Sequence, residues 1–140
     1  MSRMNLIIGA ALFGLILAIT ATPHAQQAKE DPQSILDRIY SEPQALRGEQ
    51  RFKASCSSCH TIQEFAENAF ADRWSGQTMA EAFEFVRSNM PENDPGGLKP
   101  AEYADVLAYI LRANGYPIGT QDMPADKDAL KKYEIVSNPK

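Results

Sequence analysis

The chain is poor in the residues that most often carry metal and redox chemistry: among 140 residues there are two cysteines, two histidines and one tryptophan. Two cysteines close at most one disulfide, which excludes a small cross-linked scaffold. No internal repeat is visible, so a solenoid or propeller is excluded. Low-complexity tracts are also missing, and hydrophobic residues at 44% with charged residues at 23% match an ordinary globular chain rather than a disordered one. There is no long basic run, and 18 acidic against 14 basic residues give a net charge of −4, so no nucleic-acid partner is expected. The length is about that of one domain, too short for a barrel enzyme or a two-lobed fold.

One apolar run stands out, from Leu6 to Ile19, interrupted by Gly9 and Gly14. It follows Arg3, precedes small residues ending near Ala21 or Ala25, and is shorter than the roughly 20 residues that span a bilayer. Residues 1–25 therefore read as a secretory signal peptide. The alternative is an uncleaved anchor, the one route by which contact with a membrane is expected. A cut after Ala25 removes Arg3, His24 and no acid, leaving 13 bases against 18 acids, a charge of −5 and a single histidine. Residues 26–40 form an N-terminal extension in which Ile35, Leu36, Ile39 and Tyr40 have helical spacing. Residues 41–116 form the main domain and 117–140 a tail.

Helix signals recur through the main domain. Ser41, with Gln44 three residues on, has the form of a capping box and opens a helix over Pro43–Ala54. Thr78 and Glu81 form a second box, and the helix it opens places Met79, Phe83 and Val86 on one side and stops at Met90-Pro91. Residues 91–99 hold two prolines and two glycines in a loop. A third helix begins at Pro100, ends at Asn114-Gly115, and carries Tyr103, Val106, Leu107, Ile110 and Leu111 at helical spacing. One more turn is expected after Asp126, and no strand is predicted. The class is all-α.

The chemistry is concentrated in Cys56-Ser57-Ser58-Cys59-His60. This is C-x-x-C-H, the attachment signature of c-type haem. Two thiols three positions apart can reach the two vinyl groups of one porphyrin, and the histidine that follows is held under the iron. A thioredoxin-like dithiol would need a βαβ context, which is missing, and a four-ligand zinc site needs more Cys and His than remain. One covalent haem c per chain is expected. With His60 alone, a second histidine ligand from the same chain is excluded. Methionine is the usual partner, and the candidates are Met79, Met90 and Met123. Met90 is preferred, because it opens a proline-rich loop free of helix constraints; Met79 reads as helix core and Met123 lies in the tail. An open sixth position is the remaining alternative.

The motif, with Met90-Pro91 and Tyr103-Ala-Asp-Val-Leu-Ala-Tyr109-Ile-Leu, resembles the class I cytochrome c family over almost all of the chain after residue 25. Within it, Arg73-Trp-Ser-Gly76, residues 89–98, residues 113–119 and residues 123–126 are most similar to periplasmic cytochromes and cytochrome domains that partner quinoprotein (PQQ-type) alcohol dehydrogenases. The resemblance implies three to five short helices wrapped around one covalently bound haem. It places Gly48 and Phe52 where the first helix crosses the last, against Val106 and Tyr109. It also implies that Trp74 lies beside the haem with its indole N–H available to a propionate, and that Arg73 is a further candidate for a propionate. One departure matters. Many relatives have a proline after the haem motif whose carbonyl accepts a hydrogen bond from the proximal histidine. Residues 61–79 contain none, so another carbonyl is expected to orient His60.

Together these readings imply a periplasmic electron carrier and not an enzyme. Its expected partners are redox proteins: a donor dehydrogenase, and an acceptor cytochrome or oxidase. A fixed subunit of a dehydrogenase complex would differ only in residence time. A five-coordinate haem protein with peroxidase or gas-sensing function is the contrasting class; it needs a vacant iron position and usually a distal acid or base. Glu64 and Glu67, next to the motif, read as a polar surface turn.

Overall fold

Ser41 starts the first long helix by taking the Gln44 N–H on its hydroxyl at 3.1 Å, and Pro43 fits the first turn, where its missing N–H costs nothing. The computed structural model describes residues 33–139. In chain order it contains β1 (Gln33–Ser34), α1 (Glu42–Ser55), a 3₁₀ turn (Ile62–Phe65), α2 (Ala69–Trp74), α3 (Met79–Asn89), α4 (Pro100–Ala113), α5 (Lys127–Leu130) and β2 (Tyr133–Glu134). The signal-peptide expectation for residues 1–25 and the start of the extension lie outside the described residues.

The all-α expectation holds, and the three long helices begin and end within about two residues of their predicted limits. The predicted capping box at Ser41 is only half made. Instead of returning to Ser41, the Gln44 side chain spans to the tail: its amide donates to the Met123 carbonyl at 3.0 Å and accepts the Met123 N–H at 2.7 Å. The box at Thr78 carries its return half, with Glu81 accepting from the Thr78 N–H at 2.6 Å.

α1 and α4 form the main crossing of the fold. A Cβ on Gly48 would lie 1.8 Å from the Asp105 carbonyl oxygen, so glycine is what lets the two backbones touch. The expected packing of Gly48 and Phe52 on Tyr109 is present, with the Asp105 backbone nearest to Gly48 and Phe52 edge-on against Tyr109 at 5.7 Å. The apolar stripe of α4 (Tyr103, Val106, Leu107, Ile110, Leu111) is buried throughout, as its periodicity predicts.

The flanking segments differ from expectation. Ile35–Tyr40 contains no helix. Ile35, Ile39 and Tyr40 are buried all the same, because β1 pairs in parallel with β2 and draws the two ends of the described chain together. Ile35, Tyr40, Met123, Leu130 and Ile135 all belong to the same core as α3 and α4. The Tyr40 hydroxyl donates to the Tyr116 carbonyl at 2.7 Å, and burial pushes its pKa up to about 12. Gly119 donates to the Tyr40 carbonyl at 2.7 Å. Among the described residues, no helix is long and apolar enough to cross a membrane.

Candidate functional site

The haem motif grows directly out of the end of α1. Cys56 caps that helix, donating its N–H to the Phe52 carbonyl at 2.8 Å. Its own carbonyl accepts from Cys59 at 3.1 Å and from His60 at 2.9 Å. One further turn is thereby closed, which holds the two cysteines and the histidine at one end of the helix. Ser57 donates its hydroxyl to the Lys53 carbonyl at 2.7 Å, satisfying another of the helix-end carbonyls. Both cysteines are free thiols. Burial pushes the Cys56 thiol up from its ordinary value, the opposite of the activated thiolate that a redox dithiol requires.

Cys56, Cys59 and His60 line a cavity of about 440 Å³ together with Phe52, Phe65, Phe85, Val86, Met90, Val106 and Ile110. That volume lies in the range typical of cofactor sites, on the order of 300–1,000 Å³. Met90 is the methionine that reaches this wall; Met79 and Met123 are buried in the core and do not line the cavity. Met90 terminates α3, and its backbone is held twice. Its N–H donates to Val86 at 2.8 Å, and its carbonyl accepts the Tyr103 hydroxyl at 2.7 Å. The same hydroxyl accepts the Leu98 N–H at 3.3 Å, so one buried side chain of α4 clamps both ends of the proline-rich loop. Tyr103 was legible only as part of an apolar stripe. The signal for its second role is that a buried tyrosine needs a partner for its hydroxyl.

The acceptor for His60 is not a carbonyl. The expectation is corrected here: Nδ1 lies 3.1 Å from Oε2 of Glu64, four residues on. Glu64 is fixed independently, because its Oε1 accepts the Thr61 N–H at 2.8 Å and the Thr61 hydroxyl at 3.1 Å. The Thr61 amide, and after it His60, hold the Glu64 carboxyl below its usual range. The sequence does carry this signal, as Thr61-x-x-Glu64 immediately after the motif, at the start of the 3₁₀ turn. The Phe65 ring meets His60 edge-on at 5.5 Å.

Trp74 is buried but does not line the cavity itself; its ring packs edge-on at 5.4 Å against Phe85, which does. Among the described residues its indole N–H has no hydrogen-bond acceptor. The Arg73 guanidinium lies 5.0 Å from the Trp74 ring and 5.1 Å from the Phe85 ring, a cation–π stack at the cavity's edge.

These residues fit a haem. The two free thiols have the attachment spacing, the imidazole keeps Nε2 for iron when Nδ1 bonds Glu64, and a thioether shares the cavity. Among the described residues, no group of three or more His, Cys, Asp or Glu could hold a metal ion. Residues 43–110, from α1 through most of α4, match the family described as cytochrome c oxidase, cbb3-type, subunit III. No curated protein and no solved structure matches the chain. Motif, cavity, helical fold and family match agree: residues 43–110 are similar to a c-type cytochrome domain, the all-α architecture is consistent with the class I fold, and the cofactor implied is covalently bound haem c.

Proposed function

We propose that this protein is an exported, periplasmic one-electron carrier whose haem is bound through Cys56 and Cys59 and ligated by His60 and Met90. The carrying observation is that His60, just after α1, and Met90, at the end of α3, line one cavity with the cysteine pair. When bound, the haem supplies an iron that takes up and releases one electron. The chain's own residues do the rest. Tyr103 and Val86 fix the Met90 backbone, which would hold the thioether in place at the cavity. Phe52, Phe65, Val86, Val106 and Ile110 keep water from the cavity wall. His60 and Met90 would both hold the iron, which would leave it no position for a substrate and favours electron transfer over catalysis. We assign the Trp74 N–H, and the Arg73 charge beside it, to the propionate edge.

The donor in this reading is a quinoprotein-type dehydrogenase, which the resemblance of residues 89–98 supports. The acceptor is a respiratory oxidase or another cytochrome, and the family matched is itself an oxidase subunit. The acidic balance favours basic docking patches on both.

Absorption spectra of the haem-loaded protein test the assignment. A low-spin spectrum with a methionine-to-iron charge-transfer band, lost in Met90→Ala, and no binding of carbon monoxide is expected. High-spin iron that takes up carbon monoxide in the wild type would reject Met90 and bring peroxidase or gas-sensing chemistry forward. Failure of a purified quinoprotein dehydrogenase to reduce the protein would remove that donor.

A further inference from the structure

We infer that Glu64 is the positioning residue for His60, its carboxylate accepting the Nδ1–H hydrogen bond and biasing the haem toward its oxidised state. The inference rests on the reading of His60 as an iron ligand. It is carried by geometry. The two oxygens of Glu64 have separate tasks: Oε1 takes both donors of Thr61, and Oε2 faces His60 at 3.1 Å. The carboxylate is therefore anchored by Thr61 whether or not the histidine engages it. Phe65 fixes the ring from a second side, and its own ring is braced edge-on by Phe52 at 6.1 Å. Among the described residues, His60 Nδ1 has no main-chain carbonyl as acceptor.

The chemistry follows from the acceptor's charge. A hydrogen bond from Nδ1–H fixes the tautomer, leaves Nε2 as the ligating nitrogen and raises the basicity of the imidazole. A carboxylate does this more strongly than a neutral carbonyl, because charge-assisted hydrogen bonds are the stronger ones. Its negative charge, one hydrogen bond from the imidazole, would also oppose the arrival of an electron on an iron held by His60. Solvent moderates the effect, since the His60 and Glu64 side chains are 33% and 48% exposed.

The test is the midpoint potential of the haem-loaded protein at fixed pH and low salt. Glutamine at 64 can still accept from Thr61 but carries no charge. Glu64→Gln is expected to shift the reduction equilibrium about three- to tenfold toward the reduced form, where tenfold corresponds to about 59 mV for one electron. Thr61→Val, which keeps the charge and the contact with His60 while removing one anchor, is expected to shift it far less. In the ferrous wild type the His60 Nδ1 proton is expected far downfield, as for a carboxylate-bound proton, and it should move upfield in Glu64→Gln. An unchanged potential in Glu64→Gln, or a wild-type Nδ1 proton at the position of a solvent-exposed imidazole, overturns the proposal. The wild-type resonance decides the matter even if the glutamine variant fails to assemble. A wild-type spectrum without histidine ligation would instead overturn the carrier reading, and this inference with it.

Discussion

The crossing of α1 and α4 and the rim of the cavity lie about two turns apart on the same helix, and they are held by different forces. At Gly48 two backbones meet with no room for a methyl group, and the neighbouring apolar side chains are buried. At His60 and Met90 the side chains are partly exposed, and position comes from hydrogen bonds to Glu64, Val86 and Tyr103. Close packing is unforgiving of added volume. A hydrogen-bonded rim can lose one partner and keep the fold. The difference implies that changes in the crossing are read as stability, whereas changes at the rim are read as spectrum and potential.

The sharpest way to break this contrast is Gly48→Ala. Its Cβ would meet the Asp105 carbonyl oxygen at 1.8 Å, which only a separation of the helices can relieve. A loss of about 3 kcal/mol or more is expected in denaturant unfolding. An alanine variant of wild-type stability would mean that the helices slide apart at little cost.

Tyr103→Phe asks whether frame and rim are separable. Tyrosine 103 is core by burial, yet its hydroxyl holds the carbonyl of Met90. Removing it is expected to cost about 1–2 kcal/mol. It should also weaken the methionine-to-iron band at a denaturant concentration where the fold is intact. Loss of stability with an unaltered band would confine this residue to the frame.

The smallest effect is expected at the seam between the N-terminal segment and the tail. The Tyr40 hydroxyl is buried and its folded pKa is raised to about 12. A raised folded value means that the stability contributed by the neutral phenol is complete below about 10, the ordinary tyrosine value. It is then lost as pH rises toward about 12. Tyr40→Phe should lower stability by about 1 kcal/mol at neutral pH, from its lost hydrogen bond, and flatten the alkaline decline in thermal melts. An alkaline decline of equal slope in the variant would place its origin elsewhere.

Much of this structure was legible in the sequence because its signals are local. Ser41, Thr78 and Pro100 start helices where the chain starts them, Gly115 ends one, and C-x-x-C-H gives the cofactor chemistry directly. What escaped depends on residues distant in the chain. The turn leading to α2 has Glu67 and Asn68 at positive φ without a glycine to announce it. It is held by Asn114, whose side chain donates to the Phe65 carbonyl at 2.6 Å and accepts the Asn68 N–H at 3.1 Å. Similarly, Ile35–Tyr40 has helical spacing but is drawn into the core by strand pairing with the tail. Trp74 follows the same rule: its burial is expected from its type, but its contact with the cavity through Phe85 is a tertiary fact. Glu64 was misread for a different reason. Its capping partner Thr61 was in view, but a carbonyl was sought for His60 where a carboxylate serves.

X-ray absorption at the iron edge of the haem-loaded protein tests the central claim most directly. The account predicts a six-coordinate iron with five nitrogen ligands and one sulfur in both redox states, the sulfur lost in Met90→Ala. A first shell without sulfur, or an iron that changes coordination number on reduction, would contradict it.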